Sequence, residues 1–252
     1  MKKPPVTPEN ASALQEYYSN LIPSRRASRI GFWTMKVGFP VQPRFINDSE
    51  KQIQEHMQKG GVFIVAANHQ HFNDQFIVAS AARRSETMQP LVGNTTIPAK
   101  RSLFKNRFLR FGVEAMGSIP IIRKKDTGGD SAQESSRKDA NALMTNILVD
   151  RLVRGGNVAI FPEGTRDEDN PERDVTKVRK LHRGLGDIAL NAASQGADIL
   201  VLPMAISCEH SHRKPEVAIG TPIPVAPDME LEALLGEVQQ GMQETLDYAN
   251  AA

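Results

Sequence analysis

The sequence predicts an α/β fold in which a mostly parallel central sheet is flanked by helices, with an amphipathic helical segment at the N-terminus. Short continuous apolar runs occur at residues 62–67, 158–161 and 199–206, and such runs are typical of strands buried on both faces. Segments with helical periodicity lie between them, so strands and helices alternate as they do around a parallel sheet. The length of 252 residues suits one large domain with an appendage, which we divide into an N-terminal helical segment, 1–44, and a main domain, 45–252.

The N-terminal segment begins with a predicted helix over residues 11–22. Apolar side chains recur there at i, i+3, i+4, i+7 and i+8, and Pro23 ends the pattern. Residues 28–39 then combine apolar and aromatic side chains with two basic ones. This composition fits a helix that lies in a membrane interface. It fits equally an arm that packs on the main domain, since composition alone separates the two poorly.

The main domain alternates between strands and helices along its whole length. Apolar runs indicate strands, apolar periodicity of 3.6 indicates helices, and glycine pairs at 60–61 and 155–156 end two of the helices. Polar stretches at 124–138, rich in glycine and serine, and at 167–180, rich in charge, are predicted loops. In chain order the predicted elements are helix 48–59, strand 62–67, helix 73–84, strand 89–93, helix 99–112, strand 117–122, helix 136–154, strand 157–161, helix 184–195, strands 199–206 and 216–219, and helix 229–249.

The composition excludes several classes of protein. Lys and Arg number 31 and Asp and Glu 29, so the net charge of +2 gives no support for nucleic acid as a partner. A single cysteine, Cys208, excludes an internal disulfide framework and a multi-cysteine zinc site. No run approaches the roughly 18–20 apolar residues of a membrane span, and no apolar core follows the basic N-terminus as in a secretory signal. We therefore expect a cytoplasmic protein that can contact a membrane only from one side.

Charge is unevenly distributed along the chain. Residues 1–44 contain seven Lys and Arg against two Glu, and residues 95–126 contain eight against one Glu and one Asp. Most such side chains in proteins are ordinary solvated surface. Two basic blocks in a near-neutral protein nevertheless indicate an anionic partner, such as phosphate groups or a lipid surface.

The loop after the first predicted strand contains a candidate catalytic pair. Sites of α/β proteins form where loops leave the carboxyl ends of strands, and here His69 and Asp74 lie five residues apart across a strand-to-helix turn. This spacing lets the carboxylate hold one imidazole nitrogen, which leaves the other nitrogen to accept a proton. The sequence has no Gly-x-Ser-x-Gly elbow, so we expect the pair to activate a hydroxyl of the substrate without a covalent enzyme intermediate.

A second candidate loop, residues 162–166, has the sequence Pro-Glu-Gly-Thr-Arg. Gly164 lets backbone amides approach a ligand closely, and the planar guanidinium of Arg166 suits a phosphate. Glu163 could accept a hydrogen bond from a hydroxyl or orient Arg166. Arg123, at the end of another predicted strand, could add a second phosphate contact.

In their order along the chain, these motifs resemble the four sequence blocks of the glycerolipid acyltransferases, whose type member acylates 1-acyl-sn-glycerol 3-phosphate. The resemblance spans residues 45–225, and the six-residue third block is matched in full. The matching residues are Asn68-His69-x4-Asp74, Gly117 to Arg123, Phe161-Pro-Glu-Gly-Thr-Arg166 and Leu202-Pro203-Met204.

The resemblance implies a mechanism and a set of site residues. His69 would deprotonate the acceptor hydroxyl while Asp74 orients His69, and the hydroxyl would attack the thioester of acyl-CoA or acyl carrier protein. Pro203 would shape the site from the fourth block, and the reaction would need no metal and no other cofactor. The acceptor, a lysophospholipid or a glycerol phosphate, would be held by Glu163, Gly164, Thr165, Arg166 and Arg123.

The chain departs from the family pattern at several positions. The second block lacks the usual Asp before Arg123, and His71 stands where the family often has Ser, as either a second proton-active group or part of the loop. The loop 124–138 lengthens the gap between the second and third blocks and could be a lid or contact a partner. Family members often begin with a membrane-spanning helix, whereas only 11–39 is a candidate here. We therefore expect a peripheral enzyme on the inner face of the membrane.

Three other functions stay open. Acylation of glycerol 3-phosphate or another phosphorylated acceptor would use the same site, and hydrolysis of the thioester would use water in place of the acceptor. A non-catalytic lipid-binding module would not need His69 and Asp74.

A metal site at Cys208, His210 and His212 lacks supporting ligands nearby in the sequence, so we favour an exposed polar loop there.

Overall fold

In the part of the chain that the structure describes, eight strands form one sheet between two layers of helices, which confirms the predicted α/β class. The structure, a computed structural model, describes residues 3–21, 41–71, 73–122, 131–164, 174–207 and 215–251, with backbone alone at 131–133. Within this part of the chain the strands are β1 (Pro43–Phe45), β2 (Val62–Ala67), β3 (Thr95–Lys100), β4 (Ser118–Ile121), β5 (Asn157–Ile160), β6 (Ile199–Ser207), β7 (Glu216–Ile219) and β8 (Ile223–Pro224). The helices are α1 (Ala11–Ser19), α2 (Ser49–Gln58), α3 (Asp74–Arg84), α4 (Arg107–Ala115), α5 (Ser131–Val153), α6 (Gly184–Ser194) and α7 (Leu231–Asn250).

The sheet is parallel except at β6, which pairs antiparallel with β7 and with the short β8. The strand order is β1-β7-β6-β2-β5-β3-β4, with β8 beside β6. β2 lies between β5 and β6, and all six of its residues are buried, as a continuous apolar run at the centre of a sheet requires. The parallel pairing brings the carboxyl ends of β2, β5, β3 and β4 to one edge of the sheet.

The two faces of the sheet have separate apolar cores. On one face, α1, α5, α6 and α7 pack over residues such as Ile64 and Val201. On the other face, α2 and α3 pack through Ile53 and Ile77 over Phe63. Neighbouring residues of β2 supply opposite cores because successive side chains of a strand point to opposite faces. The strands that end at the predicted site are therefore held from both sides.

The described part of the N-terminal segment packs on the main domain. α1 buries Leu14, Tyr17 and Tyr18 against α5, so its apolar face belongs to the core. The Arg151 side chain of α5 donates to the carbonyl oxygen of Tyr18 at 3.1 Å and fixes the end of α1. None of the described helices combines the length and the apolar character that crossing a bilayer would take. Residues 28–39, the second half of the predicted segment, lie outside the described residues.

The prediction is wrong around β3. Gln89–Leu91 is a 3-10 turn, not a strand, because its proline favours the first turn of a helix. The strand forms later and ends at Lys100, inside the predicted helix 99–112. A second 3-10 turn, Arg101–Phe104, precedes α4. The start of α4 is set by Asn106, whose side chain caps the first turn of the helix, and not by the apolar periodicity.

The predicted loop 124–138 is wrong in its second half, because α5 begins at Ser131. Gln, Glu, Arg and Lys, which are good helix formers, occur there beside the serines, and Arg137 pairs with Glu134 one turn away, Nη2 to Oε1, at 2.5 Å. A polar composition therefore does not separate an exposed helical turn from a loop. The edge strands β1 and β8, of three and two residues, are too short for a periodic pattern and were not predicted.

Candidate active site

His69 and Asp74 form the predicted pair at the carboxyl end of β2. The Nδ1 atom of His69 lies 2.9 Å from Oδ2 of Asp74, the first residue of α3. The same carboxylate oxygen accepts the backbone N–H of His71 at 2.6 Å. The Asp74 side chain is completely buried, whereas that of His69 is 14% exposed. A carboxylate acceptor at Nδ1 favours the imidazole tautomer with the proton on Nδ1 and the lone pair on Nε2, which is the tautomer that a general base requires.

The His69 ring is also held by the neighbouring strand. It stacks on Phe161, with the ring centroids 4.2 Å apart and the planes inclined by 24°. Phe161 directly follows β5, which pairs in parallel with β2, so the two strands end side by side. The sheet thus brings together the two loops that the sequence singled out, as expected at the carboxyl edge of a parallel sheet.

Glu163 of the second loop is buried and fixes the backbone of the first. Its Oε1 atom accepts the backbone N–H of His69 at 3.1 Å. Its Oε2 atom accepts Nε–H of Arg179 at 3.2 Å, and the Glu163 side chain has no exposed surface. A buried carboxylate needs such donors because burial without them would disfavour its charge. Both oxygens thus make contacts that position the backbone of His69 and the side chain of Arg179.

Asn68 connects the loop that contains His69 to β6, the strand on the other side of β2. Its side-chain oxygen accepts the backbone N–H of Ile206 at 2.7 Å, and its amide donates to the carbonyl oxygen of Ile206 at 3.0 Å. Asn68 is 1% exposed, so both hydrogen bonds are shielded from water. His69 is therefore positioned from β5 and β6 as well as from α3.

Gly164 adopts a backbone conformation that favours glycine. Its φ angle is +74°, in the left-handed region, and a Cβ atom there would lie 2.4 Å from the imidazole of His182. The backbone N–H of His182 donates to the carbonyl oxygen of Pro162 at 2.8 Å. The segment after residue 174 thus packs directly against the second loop.

Two residues beside the site were missed by the sequence analysis, Arg179 and His182. The predicted charged loop 167–180 contains the first, but no spacing pattern links it to Glu163. The neighbouring Arg183, in contrast, is exposed and pairs with Asp187 on the surface of α6, at 3.0 Å from Nε to Oδ2. One chemical argument does point to a cation such as Arg179. A carboxylate inside a matched motif needs a cation or several hydrogen-bond donors when it is buried.

The structure describes only some of the other predicted site residues. Arg123, Thr165 and Arg166 lie outside the described residues. Pro203 lies within β6 opposite Ala66, where its ring sits against Gly220 and Gly241.

The proposed alternative of a metal site finds no counterpart in the described part of the chain. No group of three or more His, Cys, Asp or Glu side chains that could hold a metal ion occurs among those residues. The candidate cluster at Cys208, His210 and His212 lies outside them.

A family model described as Acyltransferase matches residues 48–207, more than half of the chain, and the chain therefore belongs to the acyltransferase family. No curated protein sequence matches the chain significantly.

A solved structure shows the same fold. The crystal structure of the 1-acyl-sn-glycerophosphate (LPA) acyltransferase PlsC from Thermotoga maritima matches with a TM-score of 0.54 and 17% sequence identity. The match covers 96% of this chain and 89% of that chain. At this identity the likeness supports the fold alone.

Proposed function

We propose that the protein transfers a fatty acyl group from a thioester, acyl-CoA or acyl carrier protein, to the hydroxyl of a phosphorylated glycerol acceptor. The preferred acceptor would be 1-acyl-sn-glycerol 3-phosphate and the product phosphatidic acid. The observation that supports this most is the 2.9 Å contact between His69 Nδ1 and Asp74 Oδ2 at the loop that follows β2. This contact orients the imidazole of His69, and the loop 68–73 contains no Ser, Thr or Cys that could act as a nucleophile.

In this mechanism His69 acts as a general base and then as a general acid. Nε2 removes the proton of the acceptor hydroxyl, and the oxygen attacks the thioester carbonyl carbon. Collapse of the tetrahedral intermediate breaks the C–S bond, and the departing thiolate takes the proton from His69. The carboxylate of Asp74, buried beside Nδ1, stabilises the imidazolium that exists between the two proton transfers.

Phosphate recognition is assigned to the residues around the second loop. Arg166 and Arg123 would bind the phosphate, and Thr165 and the backbone of Gly164 would lie beside it. Support comes from the carboxyl ends of β5 and β4, which lie at the edge of the sheet that holds His69. Glu163 would act on this site through its contacts with His69 and Arg179.

The acceptor determines where the enzyme would work. A lysophospholipid resides in a membrane, so the protein would act as a peripheral enzyme at the inner face of the membrane, with its donor supplied from the cytoplasm. Glycerol 3-phosphate, the alternative acceptor, is soluble and would not require this location.

The choice of acceptor can be tested with palmitoyl-CoA as donor. Purified protein would be given 1-acyl-sn-glycerol 3-phosphate, glycerol 3-phosphate or no acceptor, and free thiol and acylated product would be measured together. We expect release of thiol with the lysophospholipid and an equal amount of phosphatidic acid. Thiol release that is the same without acceptor would identify a thioesterase and overturn the proposal.

Replacing Arg166 with Ala is expected to weaken binding of the phosphorylated acceptor. A charge-assisted hydrogen bond is worth about 1.5–3 kcal/mol, so the KM for the acceptor should rise by roughly 10- to 100-fold, with little change in the KM for the donor. Arg154→Ala is the control, because Arg154 is 71% exposed and pairs with Asp150 on the surface of α5. An acceptor KM that is unchanged in Arg166→Ala would contradict the assigned role.

A further inference from the structure

Helix α4 buries a charged pair and exposes three of its large apolar residues. Arg110 and Glu114 are buried, at 7% and 4% exposure, whereas Phe108, Leu109 and Phe111 are exposed by 79%, 54% and 60%. Six large apolar side chains are exposed within the described residues, and these three are the most exposed of them. An amphipathic helix that packs on a soluble core normally shows the opposite arrangement.

A buried polar cluster fixes this orientation. Nε of Arg110 lies 2.7 Å from Oε1 of Glu114, and the hydroxyl of Tyr18 donates to the same oxygen at 2.9 Å. Nη1 of Arg110 also donates to the carbonyl oxygen of Pro4 at 2.6 Å. Rotating α4 to bury its phenylalanines would break these contacts and leave the Glu114 carboxylate without its donors. These buried contacts therefore hold the apolar face of α4 towards solvent.

Basic side chains surround this apolar face. Lys105 and Arg107 are exposed, and the guanidinium of Arg107 lies 5.6 Å from the ring centroid of Phe108. Nζ of Lys3 lies 5.9 Å from the ring centroid of Phe111. No acidic residue occurs between residues 100 and 113. Aromatic and aliphatic side chains beside Lys and Arg are the composition that partitions into the interface of an anionic bilayer.

The position of α4 relates this face to the candidate active site. α4 connects the parallel neighbours β3 and β4, so its first turn lies towards the edge of the sheet where those strands and β2 end. β3 is separated from β2 by β5 alone, a distance of about 10 Å between β2 and β3. A surface that held the start of α4 would therefore lie close to the loop that contains His69.

We propose that the outward face of α4, formed by Lys105, Arg107, Phe108, Leu109 and Phe111, docks on an anionic lipid bilayer. The phenylalanine rings and Leu109 enter the interface between headgroups and acyl chains, and Lys105 and Arg107 contact lipid phosphates. This inference rests on the proposed function, since an enzyme whose acceptor is a membrane lipid has to bring its site to the bilayer. It gives the membrane contact to α4, a different element from the predicted segment 28–39.

The test is co-sedimentation of the purified full chain with lipid vesicles. The vesicles would contain phosphatidylcholine alone or phosphatidylcholine mixed with phosphatidylglycerol. Phe108→Ser/Phe111→Ser removes both rings, and Lys105→Gln/Arg107→Gln removes both charges. Val153→Ser/Tyr248→Ser is the matched control, because these side chains are 40% and 41% exposed and lie on α5 and α7. Thermal unfolding of each variant checks that the fold is kept, as expected for changes at exposed positions.

We expect the wild-type chain to sediment with the mixed vesicles and the phenylalanine variant to bind them at least about 10-fold more weakly. The charge variant should lose roughly 30-fold in binding to mixed vesicles and almost all of its preference over phosphatidylcholine, since each basic residue at an anionic surface strengthens binding about five-fold. The control should bind as wild type does.

Three results would overturn the proposal. Wild-type binding by the phenylalanine variant would assign docking to another part of the chain, and absence of binding by the wild type would exclude a lipid partner. A dimer in size-exclusion chromatography that the phenylalanine variant converts to a monomer would show that a second copy of the chain covers α4. Acyl transfer to a detergent-dispersed acceptor is measured separately on the wild type, so loss of the proposed function would be seen independently of vesicle binding.

Discussion

Replacing His69 with Ala is expected to lower acyl transfer by roughly 10²–10⁴-fold, the usual contribution of a positioned general base. Asp74 holds Nδ1 of His69 at 2.9 Å, so this imidazole is oriented to take the proton of the acceptor hydroxyl. The ring is partly exposed and stacks on Phe161 at the surface of the site, and its removal should leave the core intact. The measurement is the initial rate of phosphatidic acid formation at saturating donor and acceptor, with unfolding temperature as a check on the fold.

His71→Ala is the matched control for this experiment. His71 lies in the same loop, but its contact with Asp74 is made by the backbone N–H, which the substitution keeps. We expect its rate to stay within a few-fold of wild type. This comparison also decides whether His71 is a second proton-active group, since a loss in His71→Ala as large as in His69→Ala would require two histidines in the chemistry.

The largest expected effect on stability comes from Arg110. Arg110→Met would leave the buried carboxylate of Glu114 without its main cation, and breaking a buried pair in this way costs about 3–5 kcal/mol of unfolding free energy. The remaining donors, Lys3 and Tyr18, place the expected value at the lower end of that range. Chemical denaturation measures it.

Arg154→Met is the control for the stability prediction. Arg154 and Asp150 form the same kind of i, i+4 pair, but Arg154 is 71% exposed, so its loss should cost less than about 1 kcal/mol. Arg110→Met/Glu114→Gln should recover much of the lost stability, because the buried charge is removed with its partner. Equal costs for Arg110→Met and Arg154→Met would contradict the burial of the pair.

The pH dependence of stability gives an independent readout of the same cluster. Burial opposes ionisation of Glu114, but hydrogen bonds from Arg110, Lys3 and Tyr18 outweigh it and lower the pKa of Glu114 below its ordinary value of 4.5. A carboxyl group whose folded pKa is lowered stabilises the fold above its unfolded pKa and loses that contribution as the pH falls through the folded value. The difference in stability between wild type and Arg110→Met should therefore shrink below about pH 4.5.

Features that depend on local sequence could be predicted. The continuous apolar run of β2 indicates a central strand, because both faces of such a strand are covered. His69 and Asp74 are close in sequence and separated by a single strand-to-helix turn, so their spacing alone allows the contact that the structure shows. The second loop could be placed beside the first because parallel strands end at one edge.

Features that depend on distant contacts could not be predicted. Glu163 reaches the backbone of His69 across 94 residues, and its partner Arg179 follows in a loop without periodic pattern. The burial of Arg110 and Glu114 in α4 could not be predicted either, since at i, i+4 they resemble an ordinary surface pair. Contacts with Tyr18 and Pro4, which are distant in sequence, hold that face of α4 inward.

The most direct test of the central claim is a paired measurement on the wild type and His69→Ala. Thiol release from palmitoyl-CoA and formation of phosphatidic acid would be followed together, with and without 1-acyl-sn-glycerol 3-phosphate. General-base acyl transfer by His69 predicts equal amounts of thiol and phosphatidic acid from the wild type, both dependent on the acceptor, and neither above background from His69→Ala. Near-normal product formation by His69→Ala, or thiol release by the wild type that ignores the acceptor, would contradict it.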